Sequence, residues 1–237
     1  FLDERVLEAC WDFLEKLEAC RGQLGLYKTF LSPTDDPVDY PYLTYNNVLV
    51  WKALQVSAGV LERLGQREKA EEVRSESTAL HRRIQELCIT AGPLGPMYAW
   101  AVNDRGEAQL LDQPPGSLQL LAYYGFCSQD DPVYRNTVQW IQSSHNPDYI
   151  SGRFSAPACE HAPHPWVLSL CYELIGGDRE KALGQLLAAP LDNGIACETI
   201  DAETGRAKTG AAFATCAGFL SHSLFLALQE GLPAAVE

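Results

Sequence analysis

Ser32-Pro33-Thr34-Asp35-Asp36-Pro37-Val38-Asp39-Tyr40-Pro41-Tyr42 places three carboxylates in a loop punctuated by proline and rich in tyrosine. Far along the chain, Asp192-Asn193-Gly194-Ile195-Ala196-Cys197-Glu198-Thr199-Ile200-Asp201 sets Glu198 among apolar neighbours just ahead of the last helical pattern. Two carboxyl groups on separate loops, one to donate a proton and one to activate water, are what hydrolysis of a glycosidic bond requires. Each also has a plainer reading. Asp beside Pro is a common turn element and Asp caps helices, and a glutamate on a surface loop is ordinary, although Ile195, Ala196 and Ile200 weigh against that for Glu198.

Aromatic faces of the kind that stack on pyranose rings come from Tyr40, Tyr42 and Tyr149 in loops, whereas helix-borne Trp51 and Trp140 are assigned to packing. Cys159, Glu160, His161 and His164 are all metal-ligand types in one tight loop, but their spacing matches no zinc signature. Besides metal binding, the open readings are hydrogen bonding of sugar hydroxyls by His161 and His164 and a helix-capping role for His164. No metal and no cofactor are expected.

These residues need a scaffold, and the apolar periodicity supplies a helical one. Val6, Leu7, Cys10, Trp11, Leu14 and Leu17 recur at three and four, giving a first helix that ends near Gly22. A second helix over 45–64 and a third over 67–88 form a hairpin across Gly65. Asn103-Asp104-Arg105-Gly106 between two short apolar runs signals a small β-hairpin. Further helices are predicted over 117–124, 132–143, 165–175, 178–188 and 210–230, with a long turn-rich connection over 144–163. The pattern of about eight antiparallel helices with functional loops between them predicts an all-α toroid of helical hairpins in a single domain, 1–237.

The chain carries a formal net charge of −13 and has no basic run, which argues against nucleic acid or an anionic membrane as partner. A neutral carbohydrate is easily accommodated. Eight cysteines, never spaced Cys-x-x-Cys, read as reduced thiols in a cytoplasmic protein rather than as a disulfide framework. No apolar run approaches the roughly 20 residues of a membrane span.

Residues 27–47 and 97–230 resemble, in order and spacing, the catalytic domain of glycoside hydrolase family 125, the metal-independent exo-α-1,6-mannosidases. The likeness rests on Ser32-Pro33-Thr34-Asp35-Asp36, Tyr40-Pro41-Tyr42-Leu43, Asn47, Leu110-Leu111-Asp112, Ser117 to Gly125, Asp131 to Thr137, Asn146-Pro147-Asp148-Tyr149, Gly152, His161-Ala162-Pro163 and Glu198. It implies an (α/α)6-type barrel and an inverting mechanism, with Asp35 or Asp36 as general acid and Glu198 as general base. Inversion needs the two carboxyls about 6.5–9.5 Å apart so that water fits between, and like-charge repulsion in the Asp35-Asp36 pair would help one of them keep its proton. Tyr42, Asn47, Asp112, His161 and His164 would orient the ring.

The chain departs from the family pattern at Cys197, where a histidine is expected before the base, and at Asp112-Gln113, where an acidic pair is expected. Both departures bear on which sugar is read. The helices predicted here are too few to close such a barrel, so an additional N-terminal portion or a partner chain is expected. The expected function is metal-independent, inverting exo-hydrolysis of α-mannosides or related oligosaccharides. The competing readings are a non-catalytic carbohydrate binder or scaffold and a glycoside phosphorylase, the latter disfavoured by retention of Glu198.

Overall fold

The computed structural model describes residues 4–231. Contacts within the chain cluster into two compact units. One runs to Ala91 and takes in Tyr98–Leu110; the other holds Gly92–Met97 and the described residues from Leu111 onward.

The first unit opens with α1 (Glu4–Ala19), none of whose residues is buried, Trp11 being 40% exposed. After a long loop come β1 (Tyr42–Leu43), α2 (Thr44–Arg63) and α3 (Arg67–Leu87). Val48, Trp51, Leu54, Ala58 and Leu61 of α2 and Ala70, Val73, Leu80 and Ile84 of α3 are buried at three and four spacing, the stripe an amphipathic hairpin needs. The turn closes because Gly65 takes φ +79°. Gln66 N–H donates to Leu61 O at 2.9 Å and Gly65 N–H to Glu62 O at 3.0 Å, so the last carbonyls of α2 find partners. Next along the chain are β2 (Ile89–Gly92) and β3 (Gly95–Tyr98), a hairpin whose residues Gly92–Met97 belong to the second unit, and then β4 (Ala101–Val102) and β5 (Ala108–Gln109) of the first. The predicted hairpin is present and gains a third strand: β1 pairs antiparallel with β4, Tyr42 opposite Val102, which ties the end of the carboxylate loop into the sheet.

The second unit contains α4 (Pro132–Ile141), β6 (Tyr149–Ile150), β7 (Ala156–Pro157), α5 (Val167–Gly176), α6 (Arg179–Ala188), β8 (Thr199–Ile200), β9 (Ala207–Thr209) and α7 (Ala214–Gly231). Asp131 and Asp178 cap α4 and α6 by accepting Val133 N–H at 2.8 Å and Lys181 N–H at 3.0 Å. The core is α5, buried at every residue from Val167 to Leu174, with α6 and α7 packed on it. The helix predicted over 117–124 is only a 3-10 turn, Leu118–Leu120, followed by further turns. Gly125 at φ +75° ends the segment before an α-helix can propagate.

Candidate active site

In the first unit the loop bearing the paired aspartates is a tight hairpin-like turn. Leu31 bridges to Pro37, Ser32 N–H donates to Asp36 O at 2.8 Å, and Asp35 N–H donates to Ser32 O at 3.0 Å. Asp35 sits at the tip with φ +63° and is exposed. Asp tolerates this left-handed conformation better than most residues, and non-glycine residues held there cluster at functional sites. Asp36 is half-buried, and its Oδ2 accepts the Thr34 hydroxyl at 2.6 Å, with that hydroxyl also against Ser32 Oγ. The two neighbouring carboxylates therefore have different surroundings, one in water at a turn tip and one inside a hydroxyl network.

Tyr40, half-buried, leads out of this turn. Tyr42 and Asn47 do not behave as ring-orienting groups. Tyr42 is buried, and its hydroxyl donates to Asp104 Oδ1 at 2.7 Å across the sheet. Asn47 is buried too: its Oδ1 accepts Tyr27 N–H at 2.8 Å, and its two amide hydrogens go to Tyr27 O at 3.0 Å and Leu43 O at 2.9 Å. A side chain so committed holds the loop onto α2 and has no donor left for a hydroxyl.

In the second unit Glu198 is fixed from both sides. Its N–H donates to Gly210 O at 3.1 Å, and its C=O accepts Val167 N–H, the first amide of α5, at 3.0 Å. Ile200 N–H donates to Pro165 O at 2.9 Å and Trp166 bridges Thr199, so the chain after Glu198 lies antiparallel to the segment entering α5. Thr199 and Thr209 hydroxyls meet at 2.7 Å across β8 and β9. The half-buried Glu198 side chain lies over Gly210, where an added Cβ would stand 2.5 Å from Glu198 Cβ and 3.2 Å from Oε2. Gly210, at φ +53°, is thus the floor under the carboxylate.

The sequence pattern places Gly210 at the start of the last helix, whereas α7 begins at Ala214 and Gly210 lies in the bend before it. Its only local signal was a glycine between two short patterns. On a catalytic role for Glu198, Gly210→Ala should cut turnover by about tenfold to a hundredfold, since displacing a reacting group by about 1 Å costs on that order; kinetics beside a circular-dichroism spectrum would check this.

Cys197 and Cys216 are buried near Glu198. Burial first, then the neighbouring Asp192 and Glu198 charges, raises the Cys197 thiol, and burial followed by Cys197 and Glu198 pushes Cys216 to about 12. Both stay protonated at neutral pH and add no charge beside the carboxylate.

The other predicted residues of this unit separate into two groups. Asp112 is buried with both carboxylate oxygens taken, Oδ1 by Leu118 N–H at 2.8 Å and Oδ2 by the Ser117 hydroxyl at 2.7 Å. It organises the 3-10 turn. Tyr149 is half-buried, 3.5 Å from Lys181 Nζ, and its neighbour Asp148, raised chiefly by burial and then by the Glu160 charge, accepts Gln113 Nε2 at 2.8 Å. His161 is exposed, edge-on to Trp166 at 6.2 Å with its ring nitrogens 3.7 Å from Cys159 Sγ, and His164 is half-buried. Trp166 Nε1 donates to Ala162 O at 3.2 Å, which folds this histidine loop back onto the residue that opens α5. Among the described residues no group of three or more His, Cys, Asp or Glu side chains is arranged to hold a metal ion.

The sequence profile of the metal-independent alpha-mannosidases, GH125, matches residues 16–224. The chain belongs to the GH125 family. A curated relative, the meiotically up-regulated gene 157 protein of Schizosaccharomyces pombe, is 27% identical, and the match covers 88% of this chain and 43% of that protein. Among solved structures, a Streptococcus pneumoniae metal-independent α-mannosidase in a non-productive complex with α-1,6-mannobiose superimposes with a TM-score of 0.83 at 20% identity, over 96% of this chain and 63% of that one. A bacterial glucoamylase complexed with acarbose gives 0.59 at 19% identity over 78% and 33% of the two chains. These likenesses show a fold of the (α/α)6-barrel glycosidase type, and the chain spans less than two thirds of the length of each of these three proteins. No described helix of this GH125 chain is long and apolar enough to cross a membrane.

Proposed function

We propose that this GH125 chain carries the catalytic carboxylates of a metal-independent, inverting exo-hydrolase of α-mannosides, with Glu198 as general base. The observation that carries this reading is the fixing of Glu198 by Gly210 and by the first amide of α5. A base that must present one oxygen to a water cannot be left on a free loop, and here its main chain is held on both sides. Asp35 or Asp36 supplies the proton to the leaving oxygen. Tyr40, Tyr149, His161 and His164, which unlike Tyr42, Asn47 and Asp112 are not fully buried, are the groups proposed to meet the sugar. The α-1,6-mannobiose bound to the pneumococcal relative supports an α-mannoside as substrate. The free thiols of the eight cysteines fit a reducing compartment such as the cytoplasm.

The test is hydrolysis of α-mannobioses and aryl α-mannosides in EDTA, with the anomer of the first-formed mannose read by proton NMR. Chelator-resistant release of β-mannose supports the proposal; α-mannose as first product, or loss of activity on chelation, overturns it. Comparing Asp35→Asn with Asp36→Asn identifies the acid. The variant that loses mannobiose hydrolysis but keeps most activity on a dinitrophenyl mannoside, whose leaving group needs no proton, has lost it.

A further inference from the structure

Among the described residues of the second unit, three buried polar atoms have no hydrogen-bond partner: Gln119 Nε2, Gln142 Oε1 and Glu173 Oε2. Gln119 is 0% and Glu173 1% exposed. Glu173 lies six residues along α5 from Val167, the residue that holds Glu198, or about 9 Å along the helix axis. The three groups are neighbours. Gln142 Nε2 donates to Gln119 Oε1 at 3.0 Å, so the two amides share one bond and leave the Gln119 amide nitrogen and the Gln142 carbonyl oxygen without a partner. Exchanging nitrogen and oxygen in both leaves the same remainder.

Gly177 sits among them. A Cβ there would be 3.2 Å from Gln119 Nε2 and 3.0 Å from Glu173 Cγ. A cleft of about 670 Å³, lined in part by Gln142, Glu173, Gly176, Gly177 and Arg135, opens on the Gln142 and Glu173 side of this patch, with Gln119 packed behind Gly177.

The unused atoms are one donor and two acceptors, one of them a carboxylate oxygen. Lys181 Nζ already holds the other Glu173 oxygen at 3.0 Å, so the carboxylate is charge-matched. A cation would face that ammonium and the free amide N–H, and an anion would face Glu173, with Asp130, Asp178 and Glu180 also lining the cleft beside Arg135 and Arg179. A hydroxyl both donates and accepts, so neighbouring hydroxyls on one neutral molecule satisfy donor and acceptors together. We propose that this cleft is a binding site for a neutral polyhydroxylated ligand, a polyol or sugar ring, separate from the Glu198 loop.

The probe is myo-inositol, a polyol that is not a glycoside, titrated into the 15N-labelled protein while the side-chain amide signals of Gln119 and Gln142 are followed. Both signals should move together and saturate. Gly177→Ala, which fills the gap, should weaken the apparent affinity by about tenfold or more, on the scale of a lost hydrogen-bonded contact. Gln142→Leu should do the same and decides the matter if Gly177→Ala fails to fold. The proposal is overturned by the absence of a saturable shift, which would leave the patch to water alone, by equal affinity in wild type and both variants, or by saturable shifts with ethylammonium chloride or inorganic phosphate in place of the polyol.

Discussion

Glu198→Gln should lower kcat for α-mannoside hydrolysis by about 10²- to 10⁴-fold, the usual contribution of a positioned general base. KM should change little, because an amide of the same shape preserves binding while removing the proton acceptor needed only in the transition state. The main-chain bonds of residue 198 to Gly210 and Val167 do not involve the carboxylate, so the urea midpoint should hold. A drop in kcat accompanied by an equal loss of stability would instead assign Glu198 a structural role, and turnover within a few-fold of wild type would place the base elsewhere.

The second large effect is on stability. Burial pushes Asp112 up to about 8, against the opposing hydrogen bonds from Leu118 N–H and the Ser117 hydroxyl, which favour the ionised form. The folded-state pKa lies above the unfolded value of about 3.9. Such a group gives stability that is fully present below about pH 4 and is lost as pH rises through about 8, because the folded protein then holds a buried charge that the unfolded chain would solvate. Asp112→Asn keeps an oxygen for Leu118 N–H and offers an N–H to the Ser117 oxygen, with no charge to bury. Urea unfolding at pH 5 and pH 9 should show wild type losing on the order of a few kcal/mol more than the variant across that interval. Parallel curves would mean that Asp112 ionises without penalty.

Helices written by apolar periodicity were legible because burial along one face leaves a three-and-four signature: the structure ends α2 and α3 within a residue of the expected limits. The segment 117–124 misled for the converse reason. Its apolar residues are buried, but a buried aspartate and a hydroxyl organise the turn, and hydropathy does not register such polar contacts. The same blindness acted within the candidate site. The family resemblance makes Tyr42, Asn47 and Asp112 sugar contacts, yet their partners in the fold are Asp104, the Tyr27 backbone and the 117–118 turn, which the sequence does not display. Gly210 escaped for a related cause: what matters there is a missing side chain.

The buried thiols around α5 and α7 also keep time. Only a thiolate reacts with an alkylating reagent, and for Cys216, at about 12, the ionised fraction at neutral pH is on the order of 10⁻⁵. Cys171, opposite on α5, is pushed up in the same way by burial. Cys20, exposed on the surface of the first unit, is open to reagent in the native state. A modification trace should therefore resolve into a prompt step and slower ones, and the rates read at Cys171 and Cys216, followed peptide by peptide, report how often α7 lifts away from α5.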